Sequence, residues 1–274
     1  MKEATFEGVG GLRIFYRSWQ PSGPTHAVVV IVHGFNSNSG YYLWAAEKLN
    51  ANGFAVYAID HRGRGKSDGE RYYVEKSSHY VDDVGTLVQL AKREQAGKPV
   101  FMLGHSAGGV ISCSYALDHQ AELAGLICES FAFQVYAPDF ALAVLKGLSH
   151  LAPHAHVLKL KTEDFSRDPK VIEAMLNDPL LANEVQPTLT VAEMVRADER
   201  LDREFSTLTL PVLILHGTED KVTRPGGSQR FYDNAGSKDK TLKLYEGQVH
   251  DLLNDIEKES VMADILAWLK ARAA

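Results

Sequence analysis

Ser106 lies at the centre of residues 104–108, which have the pattern G-x-S-x-G. The apolar run 99–103 before it predicts a short buried strand, and the run 107–117 after it predicts a helix. A strand, a sharp turn that carries a serine, and a helix are the setting in which such a hydroxyl attacks a carbonyl carbon. The flanking glycines lack the Cβ atom that would collide in so strained a turn. The pattern G-x-S-x-G occurs by chance in roughly one chain of this length in ten. The prediction therefore depends on its position between a predicted strand and a predicted helix.

A serine nucleophile needs a base within hydrogen-bond reach, and that base needs an acid to fix its tautomer. In proteins with this turn the chain order is serine, then acid, then histidine. The last histidine of the chain is His250, which follows the strand-like residues 241–245. Two acids, Glu219 and Asp220, follow the apolar run 211–215. We therefore predict Ser106 as nucleophile, His250 as general base, and one of these two carboxylates as the acid.

The negative charge that develops on the carbonyl oxygen needs two hydrogen-bond donors. The backbone N–H of Ala107, directly after the nucleophile, is one candidate. The other should come from a loop after an earlier strand, and 33–35 is the loop in which a glycine lets the backbone approach closely. We therefore predict the Phe35 N–H as the second donor. His33 and His105 are expected to orient these loops.

The composition excludes several classes of protein. The chain has 274 residues, a formal net charge of −6 and 45% hydrophobic residues, which predicts a large core and argues against nucleic-acid binding. Its two cysteines are too few for a disulfide framework and favour the cytoplasm. The first residues lack the apolar region of a signal peptide, and no apolar stretch approaches the ~18 residues of a transmembrane helix.

Predicted strands alternate with predicted helices on both sides of residues 131–205. This alternation is typical of a mostly parallel sheet with helices on both faces. The strand at 12–19 is an exception, because its partial alternation predicts an antiparallel edge strand with one wet face. Residues 131–205 contain no convincing buried strand and predict a helical insertion. We therefore predict a core domain from 1–130 and 206–274, with a cap, or lid, at 131–205.

Several of these segments together resemble the monoacylglycerol lipase and lysophospholipase group of α/β-hydrolases. The resemblance covers about residues 5–272, and its motifs lie at 33–35, 60–69, 104–109, 177–180, 217–220 and 241–250. It implies the α/β-hydrolase fold, with an eight-stranded sheet and a cap inserted after the sixth strand. It also implies hydrolysis of carboxylic esters, plausibly monoacylglycerols, without a cofactor or metal. The family spacing G-x-x-D, seen here at 217–220, favours Asp220 over Glu219 as the acid.

The substrate and its surroundings are less closely defined. Glu129 could anchor the substrate alcohol, although a hydrogen-bonded group that fixes the start of the cap is the alternative. Phe131, Tyr136 and Leu145 belong to an apolar stretch that could pack the cap, line an acyl-chain channel, or touch a membrane surface. Histidines 150, 154 and 156 lack the spacing of a metal site. A peptidase or amidase on the same scaffold and a non-catalytic binding protein remain alternatives. The oligomeric state is left open.

Overall fold

Strands and helices alternate along the computed structural model, which describes residues 1–273 apart from the side chain of Asp139. The strands among them are β1 (Lys2–Glu7), β2 (Arg13–Trp19), β3 (Ala27–Val32), β4 (Phe54–Ile59), β5 (Val100–His105), β6 (Gly125–Glu129), β7 (His156–Leu158), β8 (Gln186–Pro187), β9 (Val212–Gly217) and β10 (Lys240–Tyr245). The α-helices are α1 (Leu43–Ala51), α2 (Ser77–Glu94), α3 (Ala107–His119), α4 (Asp139–Leu148), α5 (Pro169–Asn177), α6 (Thr188–Glu204), α7 (Pro225–Asn234) and α8 (Lys258–Lys270).

Eight strands form the central sheet, in the order β1-β2-β4-β3-β5-β6-β9-β10. β2 pairs antiparallel with both of its neighbours, and the other pairs are parallel. Strands β3 to β6 are buried along their whole length, because α2 and α3 cover one face of the sheet while α1 and α8 cover the other. The predicted α/β-hydrolase sheet is therefore confirmed. No helix within residues 1–273 is both long and apolar enough to cross a membrane.

The prediction of a wet edge strand at 12–19 is wrong. β1 takes the edge position, and every residue of β2 except Arg13 is buried. The alternation was misleading because the polar side chain of Arg17 is buried and finds its partners on neighbouring segments. Arg17 pairs with Glu3 at 3.2 Å and stacks over the Phe15 ring, with 4.9 Å from its guanidinium carbon to the ring centroid.

Residues 131–205, which we name the cap segment, lie between β6 and β9 and contain three helices. They add no strand to the central sheet, since β7 and β8 pair only with each other. Helix α6 packs against both α2 and α3, so the cap segment rests on the helices that flank β5 and the turn after it. Its assignment as a separate domain with boundaries at 131 and 205 stays a prediction.

Candidate active site

Ser106 occupies the turn between β5 and α3 in a backbone conformation that few side chains adopt. Its φ is 55° and its ψ is −123°, and the side chain is nearly buried. The turn is held from both sides, since the Ser106 N–H donates to the Glu129 carbonyl at 2.9 Å and the Gly109 N–H donates to the Ser106 carbonyl at 2.9 Å. A Cβ at Gly108 would lie 2.1 Å from the Val32 carbonyl oxygen, so only glycine fits there. The surrounding fold thus stabilises a strained serine.

His250 and Asp220 come from loops that follow β10 and β9, at the same edge of the sheet as Ser106. The His250 Nδ1–H donates to Asp220 Oδ2 at 2.8 Å, and both side chains are fully buried. His250 Nε2 is buried without a hydrogen-bond partner among the described residues. The imidazole ring lies against that of His105, with 4.8 Å between centroids. The nitrogen that a general base would use is therefore free, next to the residue that precedes Ser106.

Asp220 is surrounded by donors. Its Oδ1 accepts the backbone N–H groups of Val222 at 2.7 Å and Thr223 at 3.0 Å. Its Oδ2 accepts the Thr223 hydroxyl at 2.8 Å and His216 Nε2–H at 3.1 Å, besides His250. Burial by itself would raise the pKa of Asp220, but the His250 and His216 imidazoles outweigh it and hold the pKa well below its usual range. The carboxylate therefore stays ionised.

His216 is a part of this site that the sequence analysis did not identify. Its Nδ1 accepts the Ser228 hydroxyl at 2.7 Å, which leaves the proton on Nε2 to face Asp220. The residue is the penultimate one of β9, four positions before the acid, and is fully buried. The available signal was a histidine at the end of a predicted buried strand, where an apolar residue would otherwise be expected.

The loop after β3 approaches the nucleophile closely. A Cβ at Gly34 would lie 2.7 Å from Ser106 Cβ, so a glycine is needed for the loop to sit there. Among the described residues, neither the Phe35 nor the Ala107 N–H has a backbone acceptor. His33 and His61 hold the loop, since the His61 N–H donates to His33 Nε2 at 3.1 Å and His61 Nε2–H donates to the His33 carbonyl at 3.0 Å.

Three histidines around this loop and the turn are buried and neutral. Burial lowers the pKa of His33 to about 4 and holds those of His61 and His105 well below the usual value. Because these rings stay uncharged near neutral pH, they serve as hydrogen-bonding supports, in line with the expectation for His33 and His105. His105 Nε2 contacts the His250 carbonyl oxygen at 3.3 Å and so connects the turn to the histidine loop.

Glu129 is fully buried at the end of β6, where its Oε1 accepts the Leu253 N–H at 3.0 Å. This position favours the alternative of a hydrogen-bonded support, but Glu129 fixes the loop after His250 rather than the start of the cap.

Glu129, His105 and Asp251 form the one set of buried groups in residues 1–273 that could hold a metal, with their ligand atoms within 4.8 Å of one another. Burial raises the pKa of Glu129 well above its usual value and that of Asp251 to about 6. Burial therefore favours the protonated, uncharged form of Glu129.

The other three candidate substrate residues occupy different surroundings. Phe131 is fully buried among Phe133, Phe205 and Phe231, which favours packing over contact with a substrate. Tyr136 is half exposed, and its hydroxyl donates to the Asp220 carbonyl at 2.7 Å. Leu145 is half-buried on α4. Of the three, Tyr136 is therefore the one in contact with the acid loop.

The cap segment also covers His250, and no sequence motif indicates this contact. The Phe165 ring meets the His250 ring edge-on, with 5.0 Å between centroids and 88° between planes. The Phe165 carbonyl accepts the Asp251 N–H at 2.8 Å, and Arg167 Nε donates to Asp255 Oδ2 at 2.7 Å. Residues 165–167 are thus fastened to the loop that presents His250 and exclude water from one side of its ring.

Comparisons with known proteins agree with this geometry. The model of a family described as serine aminopeptidase, S33 (Hydrolase_4) matches residues 23–257. The chain belongs to this family of α/β-hydrolases. It is 34% identical over 269 residues to a monoacylglycerol lipase of Mycolicibacterium smegmatis, covering 97% of this chain and 96% of the relative. It is 31% identical over 269 residues to a human monoglyceride lipase, covering 96% and 89%.

A solved structure extends the likeness to three dimensions. The crystal structure of the Paleococcus ferrophilus monoacylglycerol lipase superposes with a TM-score of 0.85 at 29% identity, covering 94% of this chain and 99% of the other. Because the match spans nearly all of both chains, the cap segment is included in the shared architecture. This family member therefore has the overall fold of proteins that are named as ester hydrolases.

Proposed function

We propose that the chain is a serine hydrolase that cleaves carboxylic esters and that monoacylglycerols are its substrate class. The observation that carries the proposal is the buried His250–Asp220 pair: the His250 ring lies against that of His105, the residue before Ser106, and its Nε2 has no partner among the described residues. Full-length similarity to monoacylglycerol lipases supports the substrate class. A serine, a base, an acid and backbone donors suffice for this reaction, so no metal or cofactor is required.

The proposed reaction has two halves. Ser106 Oγ bonds to the acyl carbon while its proton passes to His250 Nε2, and Asp220 stabilises the resulting imidazolium. The N–H groups of Phe35 and Ala107 stabilise the oxyanion of the tetrahedral intermediate. The bond to the alcohol then breaks, and the leaving oxygen takes the proton from His250. Water attacks the acyl-enzyme in the same way, the acid product leaves, and Ser106 regains its proton.

The substrate class can be tested with two substrate series. We expect kcat/KM for monoacylglycerols to rise about fourfold for each added CH₂ until the acyl site is full, because each buried CH₂ contributes about 0.8 kcal/mol. Aminoacyl p-nitroanilides should be hydrolysed far more slowly. If the anilides had the higher kcat/KM, the chain would be an aminopeptidase, the activity in the description of the family model. A chain that hydrolyses neither and does not react with a fluorophosphonate would be a binding protein.

We further propose that the cap segment docks on a lipid surface to collect its substrate. Phe140, Val144 and Leu151 are 73%, 66% and 85% exposed on α4 and the turn after it. Exposed apolar side chains on one helix are typical of a membrane-contact surface. The net charge of −6 favours a neutral lipid over an anionic one.

The double variant Phe140→Ser/Leu151→Ser tests this docking. On phosphatidylcholine vesicles that contain a monoacylglycerol, its apparent KM should rise about tenfold because two apolar anchors are lost. Its kcat/KM for a soluble short-chain ester should not change. Ile256→Ser is the matched control. Ile256 is an apolar residue outside the cap segment and is 57% exposed, so this variant should behave as the wild type. Equal vesicle binding by the wild type and the double variant would exclude docking through α4.

A cytoplasmic location also remains a proposal. Cys113 and Cys128 are buried free thiols whose sulfur atoms lie 3.6 Å apart. Two cysteines are also too few for a disulfide framework, which favours a reducing compartment.

A further inference from the structure

A buried ion pair connects the cap segment to the core next to the candidate oxyanion loop. Arg64, from the loop after β4, bonds through Nη1 to Glu184 Oε1 in the cap segment, and both side chains are 1% exposed. Arg64 Nη2 also donates to Gln186 Oε1 at 2.5 Å. An ion pair this deeply buried is costly to separate, because either charge alone would lack a partner.

Glu184 also contacts the oxyanion loop itself. Its Oε1 accepts the backbone N–H of Asn36 at 2.9 Å, directly after Phe35. Asn36 has a φ of 51°, a left-handed conformation that a non-glycine residue adopts at some cost. The guanidinium of Arg64 stacks on the Phe35 ring, with 4.3 Å between its central carbon and the ring centroid. The ion pair therefore fixes both the side chain of Phe35 and the backbone that follows it.

These contacts join two parts of the chain, because the oxyanion loop belongs to the core and Glu184 belongs to the cap segment. Without Glu184, the Asn36 N–H would lose its acceptor and Arg64 would remain buried with an unpaired charge. Both changes would release the loop from the conformation that presents the Phe35 N–H. An oxyanion donor displaced by even 1 Å loses much of its effect on the transition state while substrate binding is little affected.

We propose that Glu184 is a positioning residue through which the docked cap completes the oxyanion hole. This proposal rests on the proposed function, since it requires that the Phe35 N–H stabilises an oxyanion. The cap segment would then contribute to the chemical step as well as to substrate selection.

Three variants separate the parts of this interaction. Glu184→Gln keeps an oxygen acceptor for the Asn36 N–H and removes the charge. Glu184→Met removes both the acceptor and the charge. The double variant Arg64→Met/Glu184→Met also removes both, but it leaves no unpaired buried charge. The double variant should therefore fold even if Glu184→Met does not. Glu193→Met is the matched control, because Glu193 is also a cap glutamate that accepts a core backbone N–H, that of Ser77 at 2.8 Å.

We expect kcat for a soluble ester to fall about tenfold in Glu184→Met and in the double variant, with KM within about twofold of the wild type. Affinity for an alkyl trifluoromethyl ketone, which forms a tetrahedral oxyanion on the serine, should fall by the same factor as kcat. Glu184→Gln, which keeps the acceptor but leaves the Arg64 charge unpaired, should lose less kcat than Glu184→Met, and Glu193→Met should leave kcat, KM and inhibitor affinity unchanged.

The outcomes distinguish this inference from the proposed function. If the wild type neither hydrolyses esters nor binds the ketone, the proposed function fails. If the wild type is active and the folded Met variants keep their kcat, or change only in KM, Glu184 is a structural contact and the inference is wrong. A loss in Glu193→Met equal to that in Glu184→Met would also overturn it, because any weakened cap contact would then have the same effect.

Discussion

Replacing Ser106 by alanine should lower kcat for ester hydrolysis by about a million-fold, because the acyl group then has no nucleophile to attach to. The fold should survive the change. Alanine and serine have the same Cβ, so the strain at the φ of 55° is unchanged, and the Ser106 side chain makes no hydrogen bond that holds the turn. The measurement is hydrolysis of a p-nitrophenyl ester together with thermal unfolding of both proteins.

Ser112→Ala is the matched control for this variant. Ser112 lies on α3, the helix that follows Ser106, is fully buried, and has a hydroxyl without a partner among the described residues. Ser112→Ala should retain esterase activity and labelling by a fluorophosphonate, whereas Ser106→Ala should lose both. Substantial turnover by a folded, homogeneous Ser106→Ala sample would refute the assignment of the nucleophile.

Asp220→Asn should have the second largest effect, a fall in kcat of about ten-thousand-fold with the serine and histidine both intact. The reason lies in the donors that surround the carboxylate. An amide nitrogen at either oxygen position would face an N–H group instead of accepting from it, so His250 would lose its orientation and its cation would lose its counter-charge. Steady-state kinetics of the purified variant measures the loss.

The neighbouring Glu219 supplies the control for this change. The Glu219 residue is exposed, whereas the Asp220 side chain is fully buried against His250. Glu219→Gln should keep nearly full activity. If Glu219→Gln lost activity and Asp220→Asn did not, the choice between these two adjacent acids would have to be reversed.

The sheet could be predicted because its central strands have a simple pattern. β3 and β4 consist of hydrophobic residues throughout, and such a continuous run indicates a strand that is buried on both faces. β2 is antiparallel as predicted, but its burial could not be predicted, because Arg17 is a polar residue whose partners, Glu3 and Ser39, lie elsewhere in the chain. Sequence periodicity records the polarity of a residue but not the presence of a distant partner.

The same distinction applies to the site. Ser106, Asp220 and His250 stand in a fixed chain order at the ends of predicted strands, so their candidate roles could be predicted. His216, Phe165 and Glu184 could not. Each acts through a contact with a residue 4 to 148 positions away that becomes visible only when the loops are placed together. For Glu129 the sequence left substrate contact and a hydrogen-bonded support open, and its contact with the Leu253 N–H favours the support.

The attachment of residues 165–167 to the loop after His250 has a consequence for engineering. Exchanging caps between relatives is an obvious way to transfer acyl-chain selectivity onto a stable scaffold. In this chain, such a graft would also replace the aromatic side chain that shields the base and the arginine bound to Asp255. A chimaera would therefore keep its turnover only if the donor cap carried these anchoring residues with it.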